Sequence, residues 1–157
     1  MASTTFSGPV TSTNGFIGAL TGNVTGNVTG NIAGSGSITH ATSAEINATA
    51  TATAAQVAKG YITSTSAAAT VITLPTGTLL GAALGAVRGT VFDLYIDNTA
   101  GANTVTIAVA VNGILSTAAA DTAGSFGDLT VASGVTGLAR FTLMFSSATA
   151  YVFTRTA

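Results

Sequence analysis

Charge is what this 157-residue chain has least of: it holds four basic and five acidic side chains. Charged residues make up 6% of the sequence, against about 25% in an ordinary globular domain. The net charge is −1, and the basic residues are too few to form the clusters that bind a phosphate backbone. The sequence therefore predicts no nucleic-acid partner. Hydrophobic residues reach 47%, which argues against disorder, since disordered chains are poor in such residues.

Residues that carry chemistry are also scarce. The chain has no cysteine, which excludes disulfides and thiolate nucleophiles. The single histidine, His40, lies in a polar Ala/Thr-rich stretch and is interpreted as a surface residue. No G-x-S-x-G nucleophile motif and no glycine-rich phosphate loop occur. We therefore expect no catalytic residues, no metal site and no cofactor, and an enzyme of unrecognised type is the less favoured alternative.

Long hydrophobic runs are missing as well. The longest apolar run, residues 77–87, is shorter than the about 20 residues that a membrane-spanning helix needs, so no membrane partner is predicted. The first six residues offer no signal-peptide pattern. A folded chain with this composition would present a surface of Thr, Ser, Ala and Gly with little charge to keep copies apart. That surface favours a subunit of a homo-oligomer over an unusually neutral monomer.

What the chain does have is a repeat near its N-terminus. The sequence Thr-Gly-Asn-Val/Ile occurs three times in succession over residues 21–32. In an extended chain a period of four keeps one set of residues on one face, and the opposite face carries only Thr and Asn. The predicted assembly contacts are the residues of the first face: Gly22, Val24, Gly26, Val28, Gly30 and Ile32.

Extended structure suits this repeat better than a helix, in which each glycine would cost up to ~1 kcal/mol. A lone Gly/Val strand cannot bury enough surface to hold itself in one conformation. We therefore expect several copies to wrap together, or the repeat to lie in a groove of a partner. A flexible linker is the alternative.

The chain divides near Lys59–Gly60, which predicts an extended N-terminal arm over residues 1–60 and a compact β domain over residues 61–157. Residues 38–59 favour a strand or irregular connector, with a short helix possible at residues 54–59. The predicted fold class is all-β, with a small antiparallel β-sandwich or jelly-roll-like domain. Alternation and turn residues place its strands at residues 70–74, 91–97, 104–111, 129–132, 141–145 and 151–155, the last two forming a hairpin. Helical spacing favours a helix at residues 78–87, with a loop plugging one end of a barrel as the alternative.

Asp93 and Asp97 fall on the same face of one predicted strand. Four residues of strand separate them by roughly 13 Å, which is too far for a catalytic carboxylate pair. Either one could join Asn98 or a neighbouring subunit in holding a hard cation. We prefer the interpretation that they face Arg88, Arg140 or Arg155 across strands or across a subunit boundary.

Several short segments of the chain carry a resemblance to known proteins. Residues 5–16 (TFSGPVTSTNGF) and the repeat that follows look like the N-terminal region of tailed-phage virion proteins, and the Ala-Glu-Ile-Asn of residues 44–47 is similar to an element of phage fibre and decoration proteins. The segments that resemble their terminal β domain are residues 71–75, 103–107 and 151–153.

Within that group the chain most resembles the capsid cement, or decoration, proteins. The resemblance implies a homotrimer on the outer surface of the capsid that bridges neighbouring major capsid protein subunits. Its mechanism would be mechanical, with extended arms adding strands to neighbouring subunits or wrapping around them.

Two further functions compete with this interpretation. A tail-fibre or spike component would need an exposed patch for host attachment, and Tyr61, Tyr95 and Tyr151 are its candidates. An ice-binding surface is suggested by Thr49, Thr51 and Thr53, but that threonine array is short.

Overall fold

The computed structural model describes residues 42–115 and 129–157. These residues form β1 (Ala44–Glu45), β2 (Ala50–Thr51), α1 (Ala54–Val57), β3 (Tyr61–Thr63), β4 (Thr70–Thr73), α2 (Gly77–Leu84), β5 (Val91–Asp97), β6 (Val105–Ala108), β7 (Gly113–Leu115), β8 (Thr130–Val131), β9 (Leu138–Ser147) and β10 (Ala150–Arg155). A short 3₁₀ turn, Gly134–Thr136, precedes β9. The described part of the protein is therefore mostly β, as predicted.

The strands form two sheets, and the chain passes repeatedly from one to the other. The larger sheet has the order β1-β3-β5-β9-β10-β7, and the smaller one has the order β2-β4-β6-β8. The first six strands alternate strictly between the sheets, so each successive pair adds one strand to both. We call each such pair a coil; the three coils are β1–β2, β3–β4 and β5–β6.

Strand direction differs from the prediction of an antiparallel domain. Within the described residues the parallel pairs are β1–β3, β3–β5, β2–β4, β4–β6 and β7–β10. The antiparallel pairs are β5–β9, β9–β10 and β6–β8. The antiparallel assignment is wrong for the three coils, because alternation along a strand looks the same whichever way its neighbour runs. Parallel neighbours differ from antiparallel ones in how the chain connects them: here consecutive strands belong to different sheets.

The core is built from matching inward-facing positions of successive coils. Ala44 lies opposite Ile62, and Ile62 lies opposite Ile96, while Ile72 lies opposite Ile107 in the smaller sheet. All five side chains belong to one cluster of buried residues that both sheets contribute to. The closing hairpin adds large aromatics, and the rings of Phe141 and Phe153 stack with their centroids 4.9 Å apart.

Helix α2 begins at an N-cap, Thr76, whose hydroxyl accepts a hydrogen bond from Leu79 N. A helix is thus present where one was predicted at residues 78–87, but it spans Gly77–Leu84, and its apolar residues are not all buried. Leu80 and Gly81 are buried, whereas Leu79 is 60% exposed. The reason is that Gly77 and Gly81 let the helix approach the β9–β10 turn so closely that a Cβ on either would overlap its backbone.

Several predicted elements are confirmed with nearly the predicted bounds, and others are shorter. Val91–Asp97 is present as predicted, the β9–β10 hairpin is present with β9 longer than predicted, at Leu138–Ser147, and the short helix near residues 54–59 is Ala54–Val57. The strand predicted at residues 104–111 is only Val105–Ala108. Strands β1 and β2 lie before residue 60 and pair with β3 and β4, which lie after it. The division of the chain at residue 60 stays a prediction, since residues 1–41 lie outside the described part.

Candidate functional site

The outward side of the larger sheet gathers many of the chain's few ionisable side chains. Strand β5 buries Leu94 and Ile96, so the alternate residues between and beside them point away from the core. We call the resulting surface the polar face; it consists of Tyr61, Asp93, Tyr95, Asp97 and Arg140.

The centre of the polar face is a row of three long side chains. Tyr61 of β3 lies opposite Tyr95 of β5, which in turn lies opposite Arg140 of β9. Neighbouring strands are about 4.8 Å apart, so these three side chains are adjacent. All three are partly exposed. Two of the three tyrosines proposed for host attachment are thus brought together although 34 positions separate them in the sequence.

The third proposed tyrosine, Tyr151, belongs to the core and cannot contact an external ligand. It is fully buried, its Oη donates a hydrogen bond to the Pro75 carbonyl oxygen at 3.0 Å, and its ring packs against Phe145 with centroids 5.7 Å apart. Burial raises the pKa of Tyr151 to about 12. Its proposed role in attachment is therefore wrong.

Asp97 accepts several hydrogen bonds at the edge of the tyrosine row. Thr99 Oγ1 donates to Asp97 Oδ1 at 2.6 Å, and Tyr61 Oη donates to Asp97 Oδ2 at 2.5 Å. The bond from Thr99 and then that from Tyr61 lower the pKa of Asp97. The same bond to Asp97, with smaller contributions from burial and from the carboxylate charge, raises the pKa of Tyr61. At neutral pH the pair is an ionised carboxylate beside a neutral phenol.

Asp93 and Asp97 share one face of β5, as predicted, but threonine and tyrosine hydroxyls surround them. Thr142 Oγ1 donates to Asp93 Oδ1 at 2.7 Å. Arg155, one of the predicted partners, faces the other way: it is buried and donates from Nη1 to the Thr130 carbonyl oxygen at 2.7 Å. A search of the described residues finds no group of three or more His, Cys, Asp or Glu side chains that could hold a metal ion.

An apolar row lies on the same outward surface. Val91, Met144 and Val152 are opposite one another on β5, β9 and β10, and Val91 and Met144 are 54% and 53% exposed. Leu138, opposite Asp97 at the other end of β9, is 55% exposed. Exposed apolar rows beside polar groups are typical of surfaces that contact another protein.

A buried asparagine joins the two sheets, a role that the sequence did not indicate, since it suggested Asn98 only as a residue that could help to hold a cation. Asn98 follows β5, is fully buried, and directs Nδ2 at the carbonyl oxygens of Asn103, Val131 and Ala132 at 2.8, 3.1 and 3.0 Å. Among the described residues its Oδ1 has no hydrogen-bond partner. A Cβ on Gly101 would overlap that oxygen. The sequence shows only a turn-like Asn-Thr-Ala-Gly here, so the role of Asn98 depends on contacts with distant residues.

Two of the three threonines considered for an ice-binding surface, Thr49 and Thr53, form hydrogen bonds within the fold. Thr49 Oγ1 accepts a hydrogen bond from Val71 N at 3.1 Å. Thr53 caps α1, where its hydroxyl accepts from Gln56 N and the Gln56 side chain accepts from Thr53 N.

The predicted assembly residues Gly22, Val24, Gly26, Val28, Gly30 and Ile32 lie outside the described residues, as does His40. Comparison of the chain with protein-family models, with curated proteins and with solved structures finds no match. In the described ranges no helix has both the length and the apolar character needed to cross a membrane. Any functional conclusion therefore depends on the residues themselves.

Proposed function

We propose that the protein is a structural virion protein of a tailed phage, a capsid cement protein that bridges neighbouring major capsid protein subunits. The observation that carries this proposal is the number of exposed large apolar side chains on a chain with so little charge. More than half of the surface is exposed on Leu79, Val87, Val91, Val111, Val135, Leu138 and Met144. Surfaces of this kind are suited to burial against other chains.

We further propose that the two sheets pack face to face as a β-sandwich. The support is that the buried residues of both sheets form one cluster, as expected when two sheets share a core. In this arrangement the polar face and the apolar row are the outside of one layer and are available for contact with neighbours.

The proposed mechanism is attachment through many weak contacts. The chain acts as a homotrimer without enzymatic activity, and each copy contributes one repeat and one outward sheet face. Joining several modest interfaces in one assembly raises the overall affinity well above that of each contact. Because the chain has little charge to provide long-range attraction, we expect this attachment to depend weakly on salt.

Antibody labelling tests where the protein lies in the phage particle. Gold-conjugated antibodies raised against the protein should decorate the capsids of the phage that encodes it, and the native mass of the purified protein should be that of a trimer. Labelling confined to the tail, or a monomeric native mass, would contradict the proposal.

The double variant Val91→Lys/Met144→Lys should reduce capsid binding, whereas Thr142→Ser, on the same face, should leave it unchanged.

A tail-fibre or spike component for host attachment is the second candidate, and the Tyr61–Tyr95 row favours it. Adjacent, partly exposed aromatic rings beside carboxylates are groups that bind sugars, through apolar contact and hydrogen bonds. This candidate predicts that host surface glycans bind the purified protein and that Tyr61→Ala/Tyr95→Ala abolishes the binding. Capsid labelling without glycan binding would eliminate it.

A further inference from the structure

One edge of the larger sheet ends at a very short strand. Strand β1 pairs with β3 on one side, and no strand within residues 42–115 and 129–157 pairs with its other side. The edge of the smaller sheet in the same coil is β2. The first coil therefore supplies an edge strand to both sheets, at which each sheet could be extended.

The hydrogen-bond pattern shows which backbone groups face the open side of β1. Ile46 N donates to the Thr63 carbonyl oxygen at 3.0 Å, so Ala44 and Ile46 direct their backbone groups toward β3. Alternate residues of a parallel strand face opposite neighbours. The N–H and C=O of Glu45 consequently face away from the sheet, where an added strand would pair with them.

The two faces of β1 differ in the same way as the two faces of the N-terminal repeat. Ala44 is buried in the row with Ile62 and Ile96, while Glu45 is exposed and its carboxylate accepts a hydrogen bond from Asn47 Nδ2 at 2.7 Å. An extended repeat has glycine, valine and isoleucine on one side and threonine and asparagine on the other. Its glycines would allow close approach beside Ala44, and its polar side would lie beside Glu45 and Asn47.

The two faces of strand β2 do not match the two faces of the repeat in this way. Both of its residues, Ala50 and Thr51, are exposed, although Ala50 lies opposite the fully buried Ile72. An edge strand whose two faces are both exposed does not select which face of an added strand turns toward the core. The larger sheet is therefore the better acceptor.

The chain preceding the described part is long enough to reach another copy. Nine residues, 33–41, separate the end of the repeat from Thr42. Fully extended at about 3.3 Å per residue, a segment of this length could place the repeat about 30 Å from Thr42, roughly twice the about 13 Å radius of gyration of a 100-residue domain. In a homo-oligomer every copy supplies one repeat and one open edge, so donors and acceptors are equal in number.

We propose that the Thr-Gly-Asn-Val/Ile repeat of a second copy adds a strand to the larger sheet at β1. The proposal names the partner of the repeat within the homo-oligomer and rests on that part of the proposed function. It assigns Glu45 N–H and C=O as the backbone groups that pair and leaves β2 without an added strand.

Amide hydrogen exchange measured by NMR tests this assignment on the full chain. In the wild-type protein the Glu45 amide should exchange at least about tenfold more slowly than in the triple variant Val24→Asn/Val28→Asn/Ile32→Asn. The matched control Thr21→Ser/Thr25→Ser/Thr29→Ser keeps the apolar side of the repeat and should retain slow exchange of the Glu45 amide. The Thr51 amide is the internal reference and should not change, and the Ile62 amide reports that each variant is folded.

Mixing distinguishes a second copy from the chain's own repeat. Isotope-labelled triple Asn variant, refolded together with an excess of unlabelled wild-type protein, should regain slow exchange at Glu45. The same labelled variant refolded with unlabelled triple Asn variant should not regain it. Absence of rescue, or a Glu45 amide that already exchanges freely in the wild type, would overturn the proposal. These measurements use purified protein, so their failure is distinct from a failure of capsid labelling.

Discussion

Replacing Asn98 by aspartate is the sharpest test of how the two sheets are joined. The two hydrogens of Asn98 Nδ2 serve three carbonyl acceptors, those of Asn103, Val131 and Ala132. Asn98→Asp keeps the shape of the side chain but removes both hydrogens and places a carboxylate against carbonyl oxygens. Each buried polar group left without a partner costs about 1–3 kcal/mol, so the free energy of unfolding should fall by about 3 kcal/mol or more.

The assay is urea denaturation together with thermal unfolding of the full-length protein. A loss of about 3 kcal/mol corresponds to a Tm lower by roughly 12–24 °C, at about 4–8 °C per kcal/mol for a domain near 100 residues. Asn103→Asp is the matched control, since Asn103 is exposed and its side-chain amide donates to one carbonyl, that of Ala67. Its cost should be about 1 kcal/mol or less.

The pH dependence of the Asn98→Asp variant gives a second readout. The carbonyl oxygens and burial should raise the pKa of the introduced carboxyl above its ordinary value of about 3.9. A raised pKa means that the contribution of this carboxyl to stability is most favourable below about pH 3.9, where it is protonated in both states, and is lost as pH rises through the raised value. Equal losses for the two variants, or a pH-independent loss at position 98, would refute the reasoning.

The remaining predictions concern packing and titration. Gly81→Ala should lower the free energy of unfolding by about 2 kcal/mol or more in urea titrations, because its Cβ would overlap the β9–β10 turn; Ala82→Gly, at an exposed position of the same helix, should cost only about 1 kcal/mol. The contribution of Tyr151 to wild-type stability should be constant below about pH 10 and decline as pH rises toward 12, since the pKa of Tyr151 is raised to about 12. Tyr151→Phe should remove that part of the decline seen in chemical denaturation at alkaline pH. Asp97 has a lowered pKa, so its contribution to stability is present above about pH 3.9 and lost as pH falls below it; Asp97→Asn should weaken this acid dependence and lower the pKa of Tyr61 in an ultraviolet absorbance titration.

Local pattern was enough to predict individual elements of this fold but not the way they are joined. The alternation of Phe92, Leu94 and Ile96 predicts β5 with the bounds that the structure shows. For α2 the hydrophobic spacing predicts a helix, but Gly77 and Gly81 decide which side is buried. No single-sequence pattern reports such a contact, because it depends on the backbone of a turn that lies far along the chain.

The candidate site, like the fold, could be predicted from the sequence only in part. The sequence places Asp93, Tyr95 and Asp97 on one face of one strand, and the structure agrees. The adjacency of Tyr61 and Tyr95, and the burial of Tyr151, follow from strand register and were not predictable from composition. Register between distant strands is set by the whole set of sheet contacts, and a short strand such as Tyr61–Thr63 carries too little pattern to specify it alone.

The regular passage of the chain between the two sheets bears on how such a protein could change over evolution. Inserting a segment that forms one more pair of parallel strands at the β1–β2 end would add one strand to each sheet and leave the register between the existing strands intact. The β9–β10 hairpin closes the C-terminal half with antiparallel partners and would not tolerate such growth. Variants of different length are therefore expected to differ in front of Ala44 and to share the strands from Val91 onward.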